Sequence, residues 1–119
     1  MKYLWTTIKV KDMKESLHFY EDLLGLKIKS EKHITEGFDL AFLDLGESDI
    51  ELLCNDKMDC TIGNGVTIGF EVESIDEIRK RLEKEGFEVG KEQSPEEGMK
   101  FVMVKDPNGL GVQLVEYSK

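Results

Sequence analysis

Apolar positions along this chain follow two rhythms, a period of two that marks strands and a three-or-four spacing that marks helices. Tyr3 to Val10 is rich in β-branched and aromatic residues and predicts a strand that stops at Lys11-Asp12. A helix follows. Asp12 suits its N-cap, Glu15 takes the capping-box position, and Met13, Leu17, Tyr20 and Leu24 recur at helical spacing until Gly25 ends it. Three strand-like runs come next, Leu26 to Ile34, Phe38 to Leu45 and Asp49 to Cys54, with Gly37 and Gly46 in the separators.

The second half repeats the first. Val66 to Val72 reads as a strand, Ser74 as an N-cap with Glu77 in the capping-box position, Ile75, Ile78 and Leu82 as one helical face, and Gly86 as the stop. Phe87 to Lys91, Lys100 to Lys105 and Gly111 to Tyr117 are the strands expected after it, and Asp106-Pro107-Asn108-Gly109 is a turn signal. Lys91 to Gly98, KEQSPEEG, reads as a polar surface loop. The chain is therefore expected to be one α+β domain, 1–119, built from two tandem β-α-β-β-β modules, 3–54 and 66–117, with a connector at 55–65. One helix covers one face of each sheet, so the other face needs a partner, and two sheets facing each other would share a cleft.

Parity along the strands then sorts side chains between the two faces. In the first strand Leu4, Ile8 and Val10 go under the helix and Trp5, Thr7 and Lys9 to the open face. The first strand of the second half sends Ile68, Phe70 and Val72 under its helix and Thr67, Gly69 and Glu71 outward. In the run SDIELLC, Ile50 and Leu52 take the core side, which puts the carboxylate of Glu51 on the open face, where a charge is tolerable. Val112 and Leu114 likewise leave Gln113 and Val115 opposite. Glu51 and Gln113 are 62 residues apart, as are Trp5 and Thr67, so the four form a pseudo-symmetric set.

Charge narrows the partners. With 25 acidic against 16 basic residues and a net charge of −9, the chain lacks the basic face that phosphate contacts require, so nucleic acid is not an expected partner. Acidity suits a cationic ligand, and it also simply favours solubility. Neither a membrane span nor a signal peptide is legible, because charges interrupt every apolar stretch, and the expected location is the cytoplasm. Cys54 and Cys60 are expected to be free thiols.

The paired β-α-β-β-β layout, the segment VKDMKESLHFYEDLLGLKI and the closing KDPNGLGVQLVE resemble the vicinal oxygen chelate superfamily. That group includes glyoxalase I (lactoylglutathione lyase), extradiol dioxygenases and the bleomycin-resistance binding proteins. The resemblance implies a glyoxalase-like fold and, in the metal enzymes, a divalent ion such as nickel, zinc, iron or manganese, held by one side chain from the first and last strand of each module. Carried over, those positions are Trp5, Glu51, Thr67 and Gln113. An indole N–H and a threonine hydroxyl are not normal ligands for such an ion, which leaves Glu51 and Gln113 as the candidate donors. His18, on the first helix, and His33, in the second strand, are expected to lie off the site.

The resulting expectation is a small-molecule-binding protein of the bleomycin-resistance type, with no cofactor favoured and ligand contacts from Trp5, Thr7, Glu51, Thr67, Glu71 and Gln113. The alternatives are a metal-dependent lyase, isomerase or dioxygenase with Glu51 as catalytic base, and a structural or regulatory module in which Trp5 plugs the cleft. A homodimer is expected, as the family often pairs two chains.

Overall fold

A computed structural model describes residues 1–118 and divides the chain into two compact units, Met1–Ile62 and a second beginning at Gly63. In the first unit, strand β1 (Trp5–Lys9) leads into helix α1 (Met13–Leu17), which continues as a π-helical segment over His18–Leu23, and strands β2 (Lys27–Thr35), β3 (Phe38–Asp44) and β4 (Asp49–Asn55) follow. The second unit contains β5 (Thr67–Glu71), α2 (Ile75–Lys84), β6 (Gln93–Glu96), β7 (Met99–Lys105) and β8 (Gly111–Tyr117). The sheets have the orders β1-β4-β3-β2 and β5-β8-β7-β6. In each, the first strand runs parallel to the last and the remaining pairs are antiparallel.

Equivalent pairings recur. Trp5 lies opposite Asp49 and Thr7 opposite Glu51 in the first sheet, while Thr67 lies opposite Gly111 and Gly69 opposite Gln113 in the second. Each unit buries the face under its helix. Ile8, Ala41, Leu43, Ile50 and Leu52 are buried together with Phe19, Tyr20 and Leu23 of the helix in the first, and Val102, Val104, Val112 and Leu114 with Ile75, Ile78 and Leu82 in the second. Each fully buried aliphatic or aromatic side chain contributes on the order of 1.5–3 kcal/mol. The Phe19 and Tyr20 rings also pack edge to face at 4.9 Å.

Both predicted caps form. Glu15 donates its backbone N–H to Asp12 Oδ1 at 3.0 Å and Glu77 to Ser74 Oγ at 3.2 Å. Glu116, on the helix-covered side of β8, accepts the Ile75 N–H through Oε1 at 2.7 Å, so α2 is tied to the sheet at its first turn. Gly25 and Gly86 end the helices at φ 80° and 90°. After β7, Asp106 Oδ1 accepts the N–H groups of Asn108 and Leu110 at 2.8 and 2.9 Å, which closes the DPNG turn from within.

Four expectations need correction. The first helix does not bury Met13, Leu17 and Leu24, which stay partly exposed; with Tyr20, it buries Ser16, Phe19 and Leu23. Ser16, Phe19, Tyr20 and Leu23 fall at i, i+3, i+4 and i+7, one helical stripe displaced from the expected one, and the turn closes π-helically where Leu24 donates to Phe19 five residues back at 3.0 Å. Leu4 precedes β1 and is 56% exposed rather than under the helix. Phe87 to Lys91 is not a strand. Arg79 instead binds the carbonyls of Val89 and Gly90 at 3.1 and 2.7 Å, and the strand falls in the expected loop, at Gln93–Glu96. Pro95 is tolerated there because β6 is the sheet edge and its pairing is irregular. No helix among the described residues is long and apolar enough to cross a membrane.

Candidate functional site

The open face of the first sheet is built across three neighbouring strands. Glu51 lies between Thr7 on β1 and Phe42 on β3 in the pairing register. Its Oε1 accepts the Thr7 hydroxyl at 2.6 Å, a charge-assisted contact that fixes the carboxylate's direction. Thr7 is its one hydrogen-bond partner among the described residues, and a carboxylate has about four acceptor positions, so acceptor capacity remains for a bound group. Trp5 stands edge-on against Phe42, with ring centroids 5.4 Å apart and planes at 87°, and remains 43% exposed. An aromatic wall and a fixed carboxylate thus share one face.

Lys29 joins them by a device that the hydrophobic pattern does not reveal. The pairing of β2 with β3 slips between Ile28 and Ser30, and the extra residue of this bulge is Lys29. Its Nζ donates to Asp49 Oδ2 at 3.1 Å, and Asp49 lies directly opposite Trp5 in the register. Phe42 and Lys29 were both missed by sequence reasoning. Strand parity marks Phe42, whereas nothing local marks the bulge.

The second sheet repeats the geometry with different chemistry. Gln113 lies opposite Gly69 rather than beside a hydroxyl, and a Cβ on Gly69 would sit 3.6 Å from Gln113 Oε1, so the amide lies over the glycine. Thr67 turns its methyl toward Gly111, where a Cβ would meet it at 2.8 Å; Gly111 is the residue that the approach permits. Glu71 is exposed at the far end of β5, opposite Val115, which is itself buried.

All six candidate ligand contacts therefore lie on the expected faces: Trp5, Thr7 and Glu51 on the first sheet, and Thr67, Glu71 and Gln113 on the second. The donor set does not fit a divalent ion held by the first and last strand of each module. Trp5 offers only an indole N–H, and Thr67 offers its methyl toward the neighbouring strand, leaving one oxygen-bearing candidate per module in Glu51 and Gln113. His18 is exposed and pairs with Asp22 at 2.8 Å on the helix. His33 pairs with Asp39 at 2.7 Å, and Asp39 shares the helix-side parity of Ala41 and Leu43, so neither histidine reaches the open face. Among the described residues, no three His, Cys, Asp or Glu side chains gather at metal-binding distance.

Both cysteines are free thiols, held by backbone carbonyls: Cys54 Sγ donates to Lys11 O at 3.6 Å and Cys60 Sγ to Lys9 O at 3.2 Å. Burial pushes the Cys54 thiol above its ordinary range; a backbone hydrogen bond from Met13 opposes this, and the carboxylates of Asp39, Asp12 and Asp56 add to it. Such a thiol is mostly protonated at neutral pH and a poor nucleophile.

Residues 2–114 match the profile of the Glyoxalase/Bleomycin resistance protein/Dioxygenase superfamily. The chain is 33% identical, over 98% of its length and 91% of the relative's, to a lactoylglutathione lyase of Neisseria meningitidis. It is 35% identical, over 99% of its length and 97% of the relative's, to a probable lactoylglutathione lyase of Synechocystis. Among solved structures it resembles the trypanothione-dependent glyoxalase I of Leishmania major, with 25% identity, a TM-score of 0.78 and coverage of 98% and 86% of the two chains. An antibiotic-binding protein of Streptomyces shares the fold, with 16% identity, a TM-score of 0.74 and coverage of 99% and 98%.

Proposed function

The chain belongs to the Glyoxalase/Bleomycin resistance protein/Dioxygenase superfamily, and on that premise we propose that it binds a small organic ligand without the family's full metal quartet. Trp5, Thr7 and Glu51 supply the contacts on the first sheet, and Thr67, Glu71 and Gln113 those on the second. The observation that carries this reading is the Trp5–Phe42 wall beside a Glu51 carboxylate fixed by Thr7 at 2.6 Å. A flat ring lies against the indole, and a cationic or donor group on the same ligand meets Glu51. The chain has a single tryptophan, so emission excited selectively from indole, beyond the absorption of its three tyrosines, reports on Trp5 alone. A compound that raises the melting temperature by mass action is expected to change that fluorescence as well. Stoichiometric nickel, zinc, iron or manganese in protein purified without chelator, lost on Glu51→Ala, would overturn the reading. A broad compound library without a single thermal shift would favour a structural or regulatory module.

A second reading is favoured by the relatives, named lactoylglutathione lyases at 33% and 35% identity. In it Glu51 takes a proton from the carbon beside a substrate carbonyl, and Glu51 and Gln113 are the side chains available to any divalent ion. Glu51→Gln is then expected to lower turnover of a 2-oxoaldehyde–thiol adduct by roughly 10²–10⁴-fold. No turnover by the native protein with any of those four metals added rules this reading out.

The proposal includes a homodimer, because a second copy is one way to cover a sheet face that its own helix leaves open. Sedimentation equilibrium decides between the 13.6 kDa chain and twice that mass.

A further inference from the structure

The second unit contains a groove of about 760 Å³, within the size range of small-ligand sites. Its lining includes the apolar side chains of Val66 and Met103, and Thr67 and Met103 close over the Cα of Gly111. One wall is the segment that sequence reading took for a strand. Arg79 clamps that segment through Val89 and Gly90, and the Gly90 N–H donates to Met103 O at 2.8 Å. The wall is therefore fixed before any ligand arrives, and it carries Lys91.

Charge gives the groove its preference. Lys91 and Lys105 both line it, against one carboxylate, Glu88. Neither lysine forms an ion pair among the described residues, in contrast to Lys29 and Lys100, and this in a chain of net charge −9. The equivalent row of the other sheet has the opposite sign. There Trp5, Asp49 and Asp44 lie in register, where the second sheet has Thr67, Gly111 and Lys105. At Gly111 the missing side chain lets Thr67 and Met103 close in, and the lysine in place of an aspartate reverses what the row attracts.

We propose that this groove binds a small organic anion with an apolar body, its body against Val66, Thr67 and Met103 and its charged end between Lys91 and Lys105. The inference deepens the ligand-binding reading and rests on it only for Thr67. Its test reads the two lysines of the second unit, whereas the reading itself is tested through Trp5, so either can fail alone.

The probes are 8-anilinonaphthalene-1-sulfonate and its uncharged counterpart N-phenyl-1-naphthylamine, titrated by fluorescence into the full chain at low salt. The Lys91→Gln/Lys105→Gln double variant is expected to bind the anionic probe about tenfold more weakly, while its affinity for the neutral probe stays within about twofold. Lys91→Arg/Lys105→Arg, which keeps both charges, is expected to retain the anionic probe, and added salt to weaken that binding only where the charges remain. Equal loss of both probes in the glutamine variant, or anion binding unchanged by it, overturns the proposal. So does a native protein that binds the neutral probe and not the anion.

Discussion

Leu52→Ala is expected to destabilise the chain by about 2–5 kcal/mol, while Glu51→Ala, one residue earlier on the same strand, is expected to lose no more than about 1.5 kcal/mol. Leu52 is fully buried on β4, between β1 and β3 and under the first helix, so truncating it removes apolar burial and leaves a cavity in a packed interior. Glu51 gives up one hydrogen bond, to Thr7. Urea unfolding of both variants, with the slope of the transition held constant, measures the contrast. Equal losses at the two positions would contradict the division of β4 into a structural face and a working face.

Trp5→Ala is expected to weaken binding of any ligand found by thermal shift by about 2 kcal/mol, roughly thirtyfold, since tryptophan is among the side chains that most often carry the energy of a contact surface once a partner covers them. Stability should change little, because the indole is 43% exposed and its ring contact is with Phe42. Calorimetric titration of the variant gives the affinity without relying on the fluorescence that the substitution removes. If affinity survives while stability falls, the indole is filling space and not meeting a ligand.

Strand parity and capping signals made most of the architecture legible. Asp12 with Glu15 and Ser74 with Glu77 mark both helix starts, and they form the expected bonds. Alternation along β1, β4, β5 and β8 assigned Trp5, Thr7, Glu51, Thr67, Glu71 and Gln113 to faces the structure confirms. What was not legible depends on distant partners. The residues over 13–24 offer two helical stripes, one through Met13, Leu17, Tyr20 and Leu24 and one through Ser16, Phe19, Tyr20 and Leu23, and which one turns inward is settled by the sheet the helix packs on. Lys29 reaches Asp49 only because of a bulge. The groove wall owes its path to Arg79, a residue on another element whose two carbonyl bonds displace the strand that local propensity favours at Phe87 to Lys91.

The repeat length has a further consequence. Because 62 is even, duplication preserves odd and even: on β1, β4, β5 and β8 the even positions Ile8, Ile50, Leu52, Phe70, Val112 and Leu114 turn toward the helices, and Trp5, Thr7, Glu51, Thr67, Glu71 and Gln113 are all odd. Fold and chemistry keep to separate parities in both halves, with Val115 the odd position that is nonetheless buried. A combinatorial library at the odd positions of these four strands, with Gly111 and Val115 held fixed, would therefore diversify recognition in both modules at once while leaving the core-side residues untouched.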